Sequence, residues 1–491
     1  MWTKTKLIAV AASAIALTAC GGSDDSVAPP QPAASSTVVG TITGFGSVIV
    51  NGIKFDDSAA TVTMDGAIAT RDRLRVGMVV QVRGRINADG TGLAESIRYD
   101  DCAEGPITAM NRVQNTVTVM GQTVQVDDGT EFDGVTLRDM NSFAIGDVVE
   151  VSCLPDPAKN RWRATRLERK GTFTNGATEV EAKGTVSNLN LAAGTCTLGG
   201  LTVNFGGIPT ADRPAGLANG MNVEAAGRNF ANGTLTADRL RDRDRDRLQT
   251  PDGSGIEVEG YVADFVSISN FKVNGQAVNA ANATIKNGTP ADIANGVKVE
   301  VEGTMASGVL LAKVVVIKLQ TNVNVEAGMQ AKSADSVTLL GRAIKVGADT
   351  RLRDRTASRN QPKAITLADL AVGDRLEVKA YRDAAGALVA TQIERTEASS
   401  LVVVKGPADA KTPTVSLTLA GFGVATGNGT RYRDASGNLV DAVTFYNAVQ
   451  VPPAVASIVH ARGVVASLAV NVVDATRTSS TIGELEIGDH F

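Results

Sequence analysis

Two histidines, four cysteines and 52 acidic residues are the reactive material of this 491-residue chain. His460 falls in a strand-like segment and reads as structural; His490 lies beside the last residue. A Ser-His-Asp system or an HExxH zinc site therefore has almost nothing to be built from. The cysteines Cys102, Cys153 and Cys196 are far apart, with no CxxC spacing to hold zinc. Gly253-Ser254-Gly255 is not GxSxG, and Gly44-Phe45-Gly46 is not a GxGxxG opening a helix. No catalytic residue, metal site or cofactor is expected. A glycosidase-type site needs only two carboxylates, and acidic residues occur throughout the chain. Most of them sit in turns or alternate outward on strands, which reads as solvated surface. Trp162, flanked by Arg161 and Arg163 in a hairpin turn, is the candidate ligand contact of a sugar-binding surface. Its plainer reading is a packing lid. The run Arg239-Leu240-Arg241-Asp242-Arg243-Asp244-Arg245-Asp246-Arg247 reads as an exposed linker or strand extension, with docking of an anionic partner as the sharper alternative.

The elements that must position these residues repeat. From Val372 to Glu394 the sequence gives a Gly-Asp opening, an alternating strand, a polar Gly turn and a second strand. Leu376, Val378 and Ala380 face one way; Arg375, Glu377, Lys379 and Tyr381 face the other. That is a hairpin with one buried and one wet face. Similar hairpins open at Val76, Ile145, Asn219 and Asn295, about 75 residues apart, longer than the periods of solenoids. Ahead of each lies a strand marked by Gly40, Gly105, Gly184, Gly260, Gly328 or Gly406. A tight turn follows, at Asn51-Gly52, Met120-Gly121, Gly199-Gly200, Asn274-Gly275, Leu340-Gly341 or Ala420-Gly421. A brief helical turn, best seen at Thr366 to Leu370 with Thr366 as cap, precedes the closing hairpin. Strand, hairpin, helical turn, hairpin is the order of a five-stranded, OB-like barrel. An open sandwich or another small barrel would write nearly the same pattern. The expected fold class is all-β: a tandem array of about six small OB-like β-barrel repeats with short helical turns. Barrel closure is expected to remove edges that would pair between neighbours.

The N-terminus carries Lys4 and Lys6, an apolar stretch from Leu7 to Ala16, and then Leu17-Thr18-Ala19-Cys20-Gly21. This resembles a bacterial lipoprotein signal, which implies lipid attachment at Cys20 after removal of residues 1–19. Gly21 after the cysteine favours the outer membrane. Residues 20–37 read as a flexible tether. Repeats are expected at 38–101, 102–173, 178–240, 255–320 and 321–398, with a charged linker at 241–254. A degenerate sixth repeat at 399–474 and a C-terminal tail at 475–491 complete the chain. The formal net charge of −4 and few aromatics disfavour nucleic acid.

An exported chain can form disulfides. Cys102 opens the first strand of repeat two and Cys153 ends its organising strand. These strands are neighbours in an OB-like barrel, so Cys102 and Cys153 are the disulfide candidates, against two separate buried thiols. Cys196 is left as a small apolar residue.

The hairpin LAVGDRLEVKAYRDAAGALVATQIE, the VNG turn, the GFGSVIVNG opening and Cys20 together resemble bacterial lipoproteins built from repeats of domain of unknown function 5666. The resemblance covers most of residues 38–400. It implies a β-rich repeat and an envelope location, and brings no activity. The expected function is that of a non-enzymatic outer-membrane lipoprotein, facing the periplasm or the cell surface, that binds or spaces envelope components. Its partners are the membrane, through the lipid, and an envelope protein or glycan. An oligosaccharide-binding lipoprotein is the alternative, and a carboxylate-based hydrolase comes after it.

Overall fold

The computed structural model describes residues 35–135, 139–243, 250–465, 472–474 and 483–488. Cys20, residues 1–19, His490 and residues 244–249 of the charged run lie outside the described residues. The rest is built from strands, with 3₁₀ turns and one seven-residue helix, Ala442–Ala448.

Six repeats close in the same way. In the first, Ser35–Gly44 pairs with Val48–Val50, which pairs with Ile53–Asp56. Ile53–Asp56 lies parallel to Gly92–Tyr99, which pairs back through Val79–Ile86 to Ser35–Gly44. This is the OB ring: first, second, third, fifth, fourth, first. Barrels 2 to 5 follow at 103–172, 180–242, 255–317 and 323–396. Barrel 6 closes the same ring from Leu401–Thr412 to Val472–Asp474. A strand inside the stretch read as a tail, Glu484–Ile487, adds to it by pairing with Ile458–Val465 and Arg431–Arg433.

Local sequence explains the ring. At every second-strand turn except Gly199-Gly200, both central residues have positive φ, as a type I′ hairpin requires. Met120, Leu340 and Ala420 accept this conformation while burying their side chains. The first-strand glycine makes room for that turn. A Cβ at Gly105 would lie 2.6 Å from the Met120 side chain, and one at Gly406 would lie 2.8 Å from Ala420. Gly328 is not the matching position in barrel 5, since a Cβ there meets nothing. Register with the fourth strand places Ala327 at the crossing instead. The helical turns fall where expected. Thr366 N–H and hydroxyl both donate to Asp369 Oδ2, at 2.7 and 2.8 Å.

Inward residues form compact apolar clusters. Barrels 1, 2, 3 and 4 each hold one, and barrels 5 and 6 share one. Closure does not stop pairing between barrels, contrary to expectation. The second strand is short, so the first half of each long first strand keeps a free edge, and a neighbour's first strand fills it. Barrels 2 and 3 join antiparallel at Glu104/Glu181, and barrels 5 and 6 join at Val325/Val404. Barrels 1 and 4, remote in sequence, join in parallel through Ser36–Val39 and Gly255–Val258. Three sheets of two barrels each result among the described residues.

Candidate functional site

The outward face of the barrel 5 hairpin was expected to be wet, and part of it is not. In barrel 5, Arg375 is buried and donates to Glu326 Oε2 at 2.8 Å. Lys379 reaches Asp128 O of barrel 2 at 2.6 Å. Outward side chains face other barrels, so burial and alternation part company.

One row recurs across the first, fourth and fifth strands. It is Glu104–Glu150–Glu168 in barrel 2 and Glu326–Glu377–Glu394 in barrel 5. It is Lys183–Glu224–Arg241 in barrel 3; in barrel 6 Lys405–His460 continues to Glu486 on the added strand Glu484–Ile487 rather than on the fifth strand. Like charges directly opposite repel, and cations within and between barrels offset this. Glu394, fully buried, is gripped by Arg353 and Arg355, which also hold Glu131 of barrel 2. Arg353 Nη1 donates to Thr43 O of barrel 1 at 3.2 Å, so three barrels meet there. Lys405 of barrel 6 pairs with Asp128 at 2.8 Å, and Arg462 with Asp139 at 2.9 Å. Arg163 stacks over Tyr261 of barrel 4, 4.7 Å from the ring centre.

Among the described residues, Asp65, Asp101 and Glu181 have the spacing of a metal site. Lys183 Nζ occupies that position, 3.0 Å from Asp65, 2.5 Å from Asp101 and 3.0 Å from Glu181. Burial opposes its charge, yet Asp101, Glu181 and Asp65 carry the ammonium above its ordinary range. The arrangement ties barrel 1 and the link that leads from it into barrel 2 to barrel 3 with a built-in cation.

At the joint of barrels 1 and 4, two glutamates diverge. Burial, with Glu300 adding repulsion, pushes the Glu257 carboxyl up to about 8. Glu259 is also buried, but Lys298 at 2.6 Å, Lys318 and the Thr41 N–H bring it down to about 2.

Barrel 1 fills the same row differently, with Val39, Gln81 and Arg98. Here a cleft of about 370 Å³ opens among barrels 1, 3 and 4. Val39 and Val79 give it an apolar side, and the Asn274–Gln276 turn of barrel 4 forms the rim. Arg98 and Arg243 both grip Asp100, each at 2.6 Å, and Arg243 also reaches Glu224 at 3.2 Å. Gln81 Nε2 has no hydrogen-bond partner.

The residues singled out from sequence do not gather here. Cys102 and Cys153 are joined in a disulfide, Cα–Cα 6.0 Å, between the first and fourth strands of barrel 2. Cys196 is buried, and burial pushes its thiol up to about 11. His460 lies half-buried on a barrel 6 strand, opposite Lys405. Trp162 is half-buried against the barrel 2 core, its Nε1 3.4 Å from Gln122 Oε1. Arg161 and Arg163 both turn to the fully buried Asp156. These three make a lid on barrel 2, not an open aromatic platform. Of the charged run, Arg239–Asp242 is a strand of barrel 3, in line with the strand-extension reading, so Arg241 and Asp242 belong to the barrel rather than to a linker, and Arg243 lines the cleft. Gln81, Arg98 and Asp100 gave no motif to find them by; Arg243, in the charged run, and the Asn274-Gly275 turn were marked.

A family model described as domain of unknown function, DUF5666, matches five stretches: 38–98, 104–168, 183–241, 258–315 and 325–394. They coincide with barrels 1 to 5. No curated protein matches the chain.

Proposed function

The chain belongs to the DUF5666 family, and from that premise we propose that it is a non-enzymatic lipoprotein of the outer membrane, a rigid six-barrel body that binds or spaces envelope components. One observation carries this reading. The buried acids and bases engage one another across barrel contacts, as at Glu131–Arg353–Glu394, rather than converging on a cavity. Such pairs specify geometry more than they add stability. The address rests on Leu17 to Gly21, with Cys20 as the lipid site. Cys20→Ala is expected to move the protein from the membrane fraction to the soluble envelope fraction; retention in the membrane would contradict the anchor.

The second reading is an oligosaccharide-binding lipoprotein. The cleft among barrels 1, 3 and 4 favours it, because its volume lies in the range of small-ligand sites and it combines an apolar side with amides. A hydrolase has less support: the cleft presents a single carboxylate, Asp100, already clamped by two guanidiniums.

A further inference from the structure

We propose that the cleft among barrels 1, 3 and 4 binds an uncharged saccharide unit, an inference that rests on the oligosaccharide-binding reading and gives it a site and a ligand class. Three features of the cleft lead there. Its apolar side, Val39 and Val79, suits the C–H face of a sugar ring. The Gln81 side chain lines the cleft and its Nε2 is buried without a hydrogen-bond partner, a donor that a ligand hydroxyl would satisfy once the terminal amide rotates toward it. Asn274 lines the cleft from the tight Asn274-Gly275 turn of barrel 4, where its φ is 49°. Amides placed on fixed backbone meet vicinal hydroxyls, which both donate and accept.

The charge arrangement selects against anions. Arg98 and Arg243 are already engaged on Asp100, and Arg243 on Glu224 as well. An anionic ligand would have to displace Asp100 from two charge-assisted bonds. A neutral hydroxylated ligand has no charge to set against Asp100 and leaves both pairs in place. A volume of about 370 Å³ lined by aliphatic, amide and guanidinium side chains suits a single short unit held in a pocket.

The test uses the full mature chain in titration calorimetry against maltotriose, cellotriose, chitotriose and a trigalacturonate. Two variants probe the cleft: Gln81→Leu, and Asn274→Gly, which preserves the positive φ. Trp162→Ala is the control, and melting curves check folding. Binding of at least one neutral trisaccharide is expected, weakened about fivefold or more by each cleft variant and unchanged by Trp162→Ala. Neutral binding that ignores both cleft variants, or falls only with Trp162→Ala, overturns the cleft while leaving the oligosaccharide reading standing. Stronger binding of trigalacturonate overturns the charge argument. Failure of every neutral probe overturns the site and the sugar reading together, leaving the scaffold reading untouched.

Discussion

Inside barrel 5, Leu376, Val378 and Ile393 are fully buried among aliphatic neighbours. One strand position away, on the outer face, Glu394 is just as buried, yet its surroundings are Arg353, Arg355, Gln392 and a carboxylate from barrel 2. The two environments share the same strands and the same exclusion of water. In the first, burial is favourable by itself and tolerant of shape. In the second, every group depends on partners from distant sequence, and the loss of one strands the others. The comparison teaches that the molecule has apolar barrel interiors and an ionic interior between barrels, the latter built from groups that several barrels contribute.

Removing one ion should do the most damage. Glu394→Ala leaves Arg353 and Arg355 with one acceptor fewer in a buried site, an expected loss of about 3–5 kcal/mol by denaturant unfolding. Replacing Glu131, Arg353, Arg355 and Glu394 together with Leu or Met should cost far less than that single change; a larger cost would break the distinction between the two interiors. Leu376→Ala, in the apolar interior, is expected to cost about 2–5 kcal/mol, with no comparable rescue by a second substitution. Opening the Cys102–Cys153 bond by Cys102→Ser with Cys153→Ser should cost about 2–4 kcal/mol, read as a lower midpoint for the transition that includes barrel 2.

The smallest effect is a pH slope. Glu257 stays protonated in the folded protein up to about 8, from an ordinary 4.5. Between those values the folded state binds more protons than the unfolded chain, so this group lowers stability as pH rises through the window. Glu257→Gln should therefore gain on the wild type toward pH 8 and match it near pH 4. Glu259, held down at about 2, works in the opposite sense: its contribution is present above pH 4.5 and is lost as pH falls through 2. Parallel stability curves for wild type and Glu257→Gln would remove the distinction drawn at that joint.

The sequence exposed the apolar interiors well and the ionic one hardly at all. Alternation at Leu376, Val378 and Ala380 marks an inward face. The Asn-Gly turns mark hairpins, and the neighbouring first and fourth strands made Cys102 and Cys153 a pair worth naming. The same alternation marks Arg375, Glu377 and Lys379 only as facing the other way. It carries no information about what lies against them, and here that is a further barrel. Arg351-Leu352-Arg353-Asp354 offers only Leu352 to an apolar pattern, yet it ends the strand Arg342–Asp354 running into the three-barrel junction. Barrel 6 lacks the Gly-Asp opening and lies outside the family matches, yet it closes the same ring, because pairing needs backbone length and apolar alternation more than any particular hairpin motif. The cleft was illegible for the same reason as the joints: Gln81, Arg243 and Asn274 come from three barrels.

The parallel ladder between Ser36–Val39 and Gly255–Val258 has a consequence for how the chain is made. A polypeptide delivered amino end first brings out two further barrels before the strand that covers the edge of its first one. Through that interval the uncovered backbone groups can pair with any extended strand, including one from a sister molecule. Fragments ending before Gly255 should accordingly exchange strands and self-associate, and supplying residues 255–317 as a separate piece should return them to single copies.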